Sequence, residues 1–210
     1  MASTIGSRRI RNVILATLIQ AAAIGLWIYF FSNPFPQPAA VTDPAPGAPA
    51  LRPEWERDLG EIDEQGLSRL RATIQTTRGK IRFRFFTQDA PRTVKRIATL
   101  VSEGFYNGLL FHRVEPGFVI QGGDPTGTGS GGSGQRLGAE FNSRKHVLGS
   151  VAMARGEDPD SADSQFYISL GSHPQLDGRY TVFGQVVEGI EVLGQIQVGD
   201  RMTALTLESD

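Results

Sequence analysis

The chain has 210 residues, of which 40% are hydrophobic, and its formal charge at pH 7 is −1. This length and composition accommodate one domain with a buried core plus additional segments. The near-neutral charge argues against a broad electrostatic attraction to nucleic acid. The absence of cysteine excludes disulfides and thiol catalysis, and the three histidines lie too far apart in the sequence to suggest a metal site. We therefore expect neither a metal nor a cofactor.

The amino terminus contains a long apolar segment. Residues 13–31 include no charged side chain and follow a basic flank, residues 1–12. As a helix, such a segment would span roughly 29 Å, about the thickness of a bilayer's hydrocarbon core. We predict an uncleaved transmembrane signal anchor here, with the basic flank in the cytoplasm and the rest of the chain across the membrane. A cleavable signal peptide is the alternative, although its apolar core is usually only about 7–15 residues long.

The segment after the anchor has the composition of a spacer. Residues 32–68 are first rich in proline and alanine and then acidic, which is typical of an extended, semi-rigid linker. We predict that the globular domain covers residues 69–210. The anchor and the linker that precede the domain would then hold it at a membrane surface.

The domain begins with signals for a hairpin and a helix. Residues 71–75 and 80–86 flank a Thr-Arg-Gly turn, and the second of these strands alternates basic with apolar residues. Alternation of this kind predicts one exposed and one buried face. Residues 91–103 have the apolar spacing of an amphipathic helix, with Pro91 at its start and Gly104 after its end.

The rest of the domain consists of short apolar runs between glycine-rich turns. We predict strands in the runs 109–114, 118–121, 150–154, 165–170, 180–187 and 203–207, and a second short helix over 189–197. Many short strands with few helices favour a barrel or a sandwich. The spacing alone leaves both architectures open.

Three motifs point to one family. They are the string Phe111–Asp124, the pair Gly149–Arg155 and Asp158–Ile168, and the string Leu176–Gly184. Their order and spacing resemble those of the cyclophilins, the cyclosporin-binding family of peptidyl-prolyl cis/trans isomerases. The resemblance covers about 140 residues. It implies a mainly β fold, with a closed eight-stranded antiparallel β-barrel capped by two α-helices, here preceded by the transmembrane helix.

The reaction of that family needs no nucleophile, metal or acid–base pair. Rotation about an amide is opposed by resonance, with a barrier of about 18–20 kcal/mol. A catalyst must favour the twisted amide over both planar isomers, and in the twisted state the prolyl nitrogen can accept a hydrogen bond. A guanidinium aimed at this nitrogen would stabilise the transition state selectively.

The resemblance implies a role for ten side chains of this sequence. Arg113 matches the catalytic arginine, although outside the motif it would be read as a surface ion pair at a strand end. Nine positions match the substrate groove, and some of them could equally be plain core: Phe118, Val119, Gln121, Ala154, Arg155, Gln165, Tyr167, Leu176 and Tyr180. The expected partners are proline-containing polypeptides whose folding the protein would assist.

Four other features are expected to be structural. We expect His112 to be packed or hydrogen-bonded, because the reaction moves no proton, and His146 and His173 to lie in loops. Residues 127–134 contain G-x-G-x-x-G twice but lack the strand and helix that a dinucleotide site requires. We expect a flexible loop beside the groove.

The sequence also departs from the family pattern. Gln175 stands where cyclosporin-sensitive members carry a tryptophan, Tyr180 replaces a usual histidine, and Tyr167 replaces a usual phenylalanine. We therefore expect weak cyclosporin binding with isomerase activity retained. A non-catalytic peptide-binding scaffold on the same fold remains an alternative. The expected location is a bacterial inner membrane facing the periplasm, with an organellar or secretory membrane as the other possibility.

Overall fold

The computed structural model describes residues 69–209. Its strands are β1 (Leu70–Thr76), β2 (Gly79–Phe85), β3 (Phe111–Glu115), β4 (Val119–Gly122), β5 (Ser150–Met153), β6 (Phe166–Ser169), β7 (Val182–Glu188) and β8 (Met202–Ser209). Its α-helices are α1 (Pro91–Ser102) and α2 (Ile190–Leu193), and 3-10 turns cover Pro159–Ser161 and Pro174–Leu176. The predicted basic flank, transmembrane anchor and linker lie outside the described residues. Among residues 69–209, no helix combines the length and apolarity needed to cross a membrane.

The eight strands form one antiparallel sheet in the order β3-β4-β6-β5-β7-β2-β1-β8. The sheet is curled into a half-barrel, which confirms the predicted mainly β fold with two helices. The predicted full closure was too strong, because the edge strands β3 and β8 share no ladder. They meet where the two strands begin, through a bridge between Leu110 and Arg201 and through further main-chain hydrogen bonds of the neighbouring residues. There the Met202 N–H donates to the Leu109 carbonyl at 2.8 Å.

Side-chain hydrogen bonds shape the segment that leads into β8. Asp200, two residues before β8, accepts a hydrogen bond from the Gln197 N–H at 2.7 Å and another from Arg78 Nε at 2.8 Å. These bonds hold residues 197–200 in a turn. This turn contacts the edge of β3, where the Phe111 N–H donates to the Asp200 carbonyl at 2.8 Å and the Gly199 N–H donates to the Phe111 carbonyl at 3.0 Å.

The hairpin of β1 and β2 follows the sequence prediction. Ile74 pairs with Ile81 and Ala72 with Phe83, and all four side chains are buried. The basic residues of β2 alternate with them on the outer face. Period-two alternation in the sequence was therefore sufficient to assign the two faces.

Helix α1 covers one side of the sheet with the apolar stripe predicted for it. Val94, Ile97, Ala98 and Val101 are all buried. The helix has no side-chain cap of its own. Instead, the distant Glu140 carboxylate accepts the Thr93 main-chain N–H at 2.8 Å, and the Arg92 N–H at 3.1 Å. Although partial burial acts to raise it, these bonds hold the pKa of Glu140 below its ordinary value.

Helix α2 is a single turn and is shorter than the predicted 189–197. Gly189 precedes it with φ of +78°, and a Cβ there would collide with the carbonyl of Lys80 in β2. Glycine is therefore required to bring α2 onto the sheet. The helix ends at Leu193 because Gly194 follows, a residue that costs about 1 kcal/mol in a helix interior.

Candidate active site

The sheet register brings three predicted site residues onto one surface. Arg113 in β3 is paired with Gln121 in β4, and Gln121 is paired with Tyr167 in β6. Directly opposed residues of antiparallel strands point to the same face. The outcome is a hydrogen bond of 3.0 Å from Arg113 Nη1 to the Gln121 side-chain oxygen.

A second partner fixes the arginine from the other side. Glu115 lies two residues after Arg113, on the same face of β3. Its Oε1 accepts from Nε at 2.9 Å and from Nη2 at 2.6 Å. Both side chains remain about half exposed, so the guanidinium is oriented without being sequestered from a ligand.

The turn between β3 and β4 places an aromatic ring beside the guanidinium. Pro116 and Gly117 form its centre, Gly117 has φ of +73°, and the Phe118 N–H donates to the Glu115 carbonyl at 2.9 Å. Proline followed by a residue with positive φ is the pattern of a type II turn. The turn brings the Phe118 ring to 5.9 Å from the Arg113 guanidinium carbon.

Below the guanidinium lies a small pocket, which we call the apolar pocket. Its volume is about 140 Å³. Nine residues line it: Arg113, Phe118, Val119, Gln121, Ala154, Arg155, Tyr167, Leu176 and Tyr180. Most of them belong to a cluster separate from the main core, centred on buried Val119, Ala152, Tyr167 and Val182. The volume of the apolar pocket suits one compact side chain and falls well below that of a typical drug-sized site.

A buried hydrogen-bond chain stands behind the pocket wall. The Tyr167 hydroxyl lies 2.9 Å from Nε2 of His146, whose Nδ1 lies 3.1 Å from an oxygen of Asp177. Since the Asp177 carboxylate can only accept, Nδ1 carries the proton and Nε2 accepts from Tyr167. Burial lowers the pKa of His146, which keeps the ring neutral at pH 7.

Asp177 anchors the loop that carries Leu176, the opposite wall of the pocket. The His146 main-chain N–H donates to it at 2.9 Å, and Lys145 Nζ lies 3.2 Å from its other oxygen. Chiefly through the His146 N–H, and with further help from Lys145, these contacts lower the pKa of Asp177 to about 2. One carboxylate thus ties two walls of the pocket to the same buried histidine.

His173 supports the aromatic floor in a similar way. Its Nε2 lies 2.9 Å from the carbonyl oxygen of Phe118, and its ring packs edge-on against the Phe118 ring at 4.8 Å between centroids. Its main-chain N–H donates to the His146 carbonyl at 2.8 Å. The two histidines assigned to loops do lie in loops, but both are buried and both brace the pocket.

A chain of amides connects Arg113 to the glycine-rich loop. Gln121 Nε2 donates to the Gln165 side-chain oxygen at 2.9 Å, and Gln165 Nε2 donates to the carbonyls of Gly129 and Gly131 at 3.0 and 2.8 Å. Asp124 holds the same loop, accepting the Gly129 N–H at 2.6 Å and the Gly131 N–H at 3.1 Å. The loop therefore lies beside the groove as predicted, and the side-chain hydrogen bonds to its main chain argue against the flexibility expected for it.

The structure brings nine of the ten predicted site residues to the apolar pocket. Gln165 instead lines a larger pocket that adjoins the apolar pocket. His112 is half-buried, and its pKa is lowered, mainly by desolvation. The sequence analysis missed Glu115, Asp124 and Asp177, and it missed the supporting role of both loop histidines. The only sequence signal for Glu115 was its i+2 spacing from Arg113.

A curled eight-stranded antiparallel sheet, carrying an oriented arginine beside a small apolar pocket, defines the cyclophilin class. Residues 71–208 match the family described as "Cyclophilin type peptidyl-prolyl cis-trans isomerase/CLD". The chain belongs to this family.

Relatives and solved structures agree with this membership. The chain is 46% identical over 154 residues to a peptidyl-prolyl cis-trans isomerase of Helicobacter pylori, covering 71% of this chain and 94% of that protein. It is 42% identical over 141 residues to one from Synechococcus elongatus, covering 66% of this chain and 97% of that protein. A Cryptosporidium parvum cyclophilin type isomerase, crystallised in the presence of the dipeptide Ala-Pro, superposes with a TM-score of 0.64 at 31% identity. That match covers 67% of this chain and 99% of the other.

Proposed function

We propose that the chain catalyses cis–trans isomerisation of X–Pro bonds in polypeptides, with Arg113 as the catalytic residue. The observation that carries this proposal is the position of its guanidinium. It lies at the mouth of the apolar pocket, next to the Phe118 ring, and is held by Gln121 and Glu115. The proline ring would occupy the apolar pocket, so that its nitrogen faces the guanidinium.

The arrangement accounts for catalysis by differential binding. X–Pro isomers differ by only about 0.5–1 kcal/mol, yet they interconvert over tens to hundreds of seconds. As the amide twists, its nitrogen loses conjugation and becomes an acceptor, so a donor fixed in advance binds the twisted state better than either planar form. Donors of this kind, when removed from other enzymes, cost about 10²–10³ in rate.

The direct test is an exchange measurement. The full-length protein should accelerate cis–trans exchange of an Ala-Pro peptide in two-dimensional NMR, and it should also accelerate a proline-limited refolding reaction. Binding of the peptide without acceleration would favour the scaffold alternative instead. A peptide with alanine in place of proline provides the control for non-specific line broadening.

We further propose that residues 13–31 anchor the protein in a membrane, with the isomerase domain on the extracytoplasmic side of a bacterial inner membrane. The charge-free length of the segment and the basic flank before it support this orientation. Protease treatment of spheroplasts should digest the domain, whereas inverted vesicles should protect it. Recovery of the full-length protein in the soluble fraction would contradict the anchor.

Weak cyclosporin binding is also part of this proposal. Gln175 lies exposed in the 3-10 turn Pro174–Leu176, beside the pocket residue Leu176. A glutamine there replaces the drug-binding tryptophan of sensitive cyclophilins. Nanomolar inhibition of isomerase activity would contradict it.

A further inference from the structure

A second pocket adjoins the apolar pocket and has a different character. We call it the polar pocket. It shares Gln121, Ala154 and Arg155 with the apolar pocket, and its volume is larger, about 390 Å³. A peptide with its proline in the apolar pocket would therefore extend past the polar pocket and could place another side chain in it.

Two guanidiniums line the polar pocket. The hydrogen bonds of Arg155 all go to main-chain carbonyl oxygens: Nε and Nη2 donate to that of Arg179 at 3.2 and 3.0 Å, and Nη1 donates to those of Gly156 and Glu157 at 2.8 and 3.0 Å. Its guanidinium also lies over the Tyr180 ring, 4.8 Å from the ring centroid. Carbonyl oxygens orient a cation without cancelling its charge. Arg136 is exposed, and within the part of the chain that the structure describes it has no hydrogen-bond or ion-pair partner.

One carboxylate, that of Asp163, also lines the polar pocket, but it already accepts hydrogen bonds from the glycine-rich loop. Its Oδ1 accepts the Ser133 N–H at 2.9 Å and the Ser133 hydroxyl, and its Oδ2 accepts the Gly134 N–H at 2.9 Å. The two arginines therefore exceed the single carboxylate by one positive charge. Neither arginine makes an ion pair with that carboxylate.

The wall of the polar pocket is fixed before a ligand arrives. A Cβ on Gly131 would collide with the Asp124 carboxylate. A Cβ on Gly132 would lie 2.5 Å from a carboxylate oxygen of Asp163. Both glycines are packed against the carboxylates that bond the loop. Because the loop is already ordered, a bound side chain would not have to offset the entropy of ordering it.

From these contacts we propose that the polar pocket selects an acidic side chain, Asp or Glu, near the proline of the substrate. Its carboxylate would bind Arg136 and the fixed guanidinium of Arg155. This inference rests on the proposed isomerase activity and adds a substrate preference to it. The favoured substrates are acidic X–Pro segments, and basic ones are disfavoured.

The test compares matched peptides on the full-length protein by NMR exchange. Glu, Gln or Lys is placed in turn at each of the three positions before the proline and each of the three positions after it. At one position, the Glu peptide should show a kcat/KM about two- to fivefold above that of the Gln peptide, the range expected for a partly exposed ion pair. The Lys peptide should fall below both, and the preference should shrink at 1 M salt.

The variant Arg136→Gln should reduce the ratio between the Glu and Gln peptides, because only Arg155 then remains to bind the carboxylate. Lys80→Gln removes one positive charge from an exposed position on β2 and serves as the control, in which the ratio should persist. An equal ratio in wild type and Arg136→Gln, or no Glu preference at any position, would overturn the inference while leaving the isomerase proposal intact. Failure to accelerate any peptide would overturn both.

Discussion

The Tyr167 hydroxyl donates to Nε2 of the buried His146 across 2.9 Å, so a wall of the apolar pocket is hydrogen-bonded from behind. The tyrosine stands where the family usually has phenylalanine. Its hydroxyl does not enlarge the polar surface of the pocket, because His146 holds it on the far side. The ring therefore still presents an apolar surface toward the pocket.

Removing that hydroxyl should affect stability more than catalysis. We expect Tyr167→Phe to lower the free energy of unfolding by about 1–3 kcal/mol, because it leaves a buried ring nitrogen without a donor. Most of the isomerase activity should remain, since the aromatic ring stays in place. Urea denaturation checks the first expectation and NMR exchange the second.

Tyr180→Phe is the matched control. Among the described residues the Tyr180 hydroxyl has no hydrogen-bond partner, although its ring packs edge-on against Tyr167 at 5.8 Å between centroids. Its loss should change the free energy of unfolding by less than about 0.5 kcal/mol. Equal destabilisation by the two variants would contradict the importance of the His146 contact.

The acid stability of the fold should reflect Asp177. Its pKa is about 2 in the folded protein and about 3.9 in an unfolded chain. Between these values the unfolded chain binds more protons, so the stabilisation is complete above about pH 4 and is lost as the pH falls toward 2. Denaturation midpoints measured across this range should fall less steeply in Asp177→Asn than in wild type. Parallel curves would show that Asp177 is not the group responsible.

The fixed glycine loop should be needed for activity. Gly131→Ala would push a Cβ against Asp124 and displace the carbonyl that Gln165 binds. Since small misplacements at an active site can cost up to about 10²-fold, we expect kcat/KM to fall at least about tenfold. Gly194→Ala is the control, because a Cβ there meets nothing within 4 Å, and kcat/KM should stay unchanged. Full activity of Gly131→Ala would mean that the loop contributes nothing to the position of Gln121.

The proposal of weak cyclosporin binding predicts that a tryptophan at position 175 strengthens it. We expect Gln175→Trp to tighten cyclosporin binding at least about tenfold, which corresponds to roughly 1.4 kcal/mol. The added indole supplies both apolar area and an N–H donor on an exposed turn. Isothermal titration of wild type and variant measures the difference. Unchanged affinity would contradict the role of Gln175 in the proposed weak binding.

The sequence predicted what local patterns determine. The alternation in β2 and the apolar stripe of α1 were correct because each depends on neighbours within a few residues. Motif order placed nine of ten site residues in one pocket, because the family resemblance carried the long-range pairing of β3, β4 and β6 that no local period contains.

The missing features depend on contacts far apart in the chain. His146 and Asp177 are separated by 31 residues, and Thr93 and Glu140 by 47. Neither pairing leaves a periodic pattern, so His146 could be assigned only to a loop. The contacts of the glycine loop were missed for the same reason, because its composition predicts flexibility and gives no sign of the bonds that the distant Asp163 makes to it.

The central claim is that Arg113 stabilises the twisted amide, and one comparison tests it most directly. NMR exchange on an Ala-Pro peptide should give a kcat/KM about 10²-fold lower for Arg113→Ala than for wild type. Arg113→Lys should also fall well below wild type, because a lysine cannot bond Glu115 and Gln121 in the same fork geometry. Peptide affinity and the urea midpoint should stay close to wild type. Undiminished exchange in Arg113→Ala would contradict the assignment.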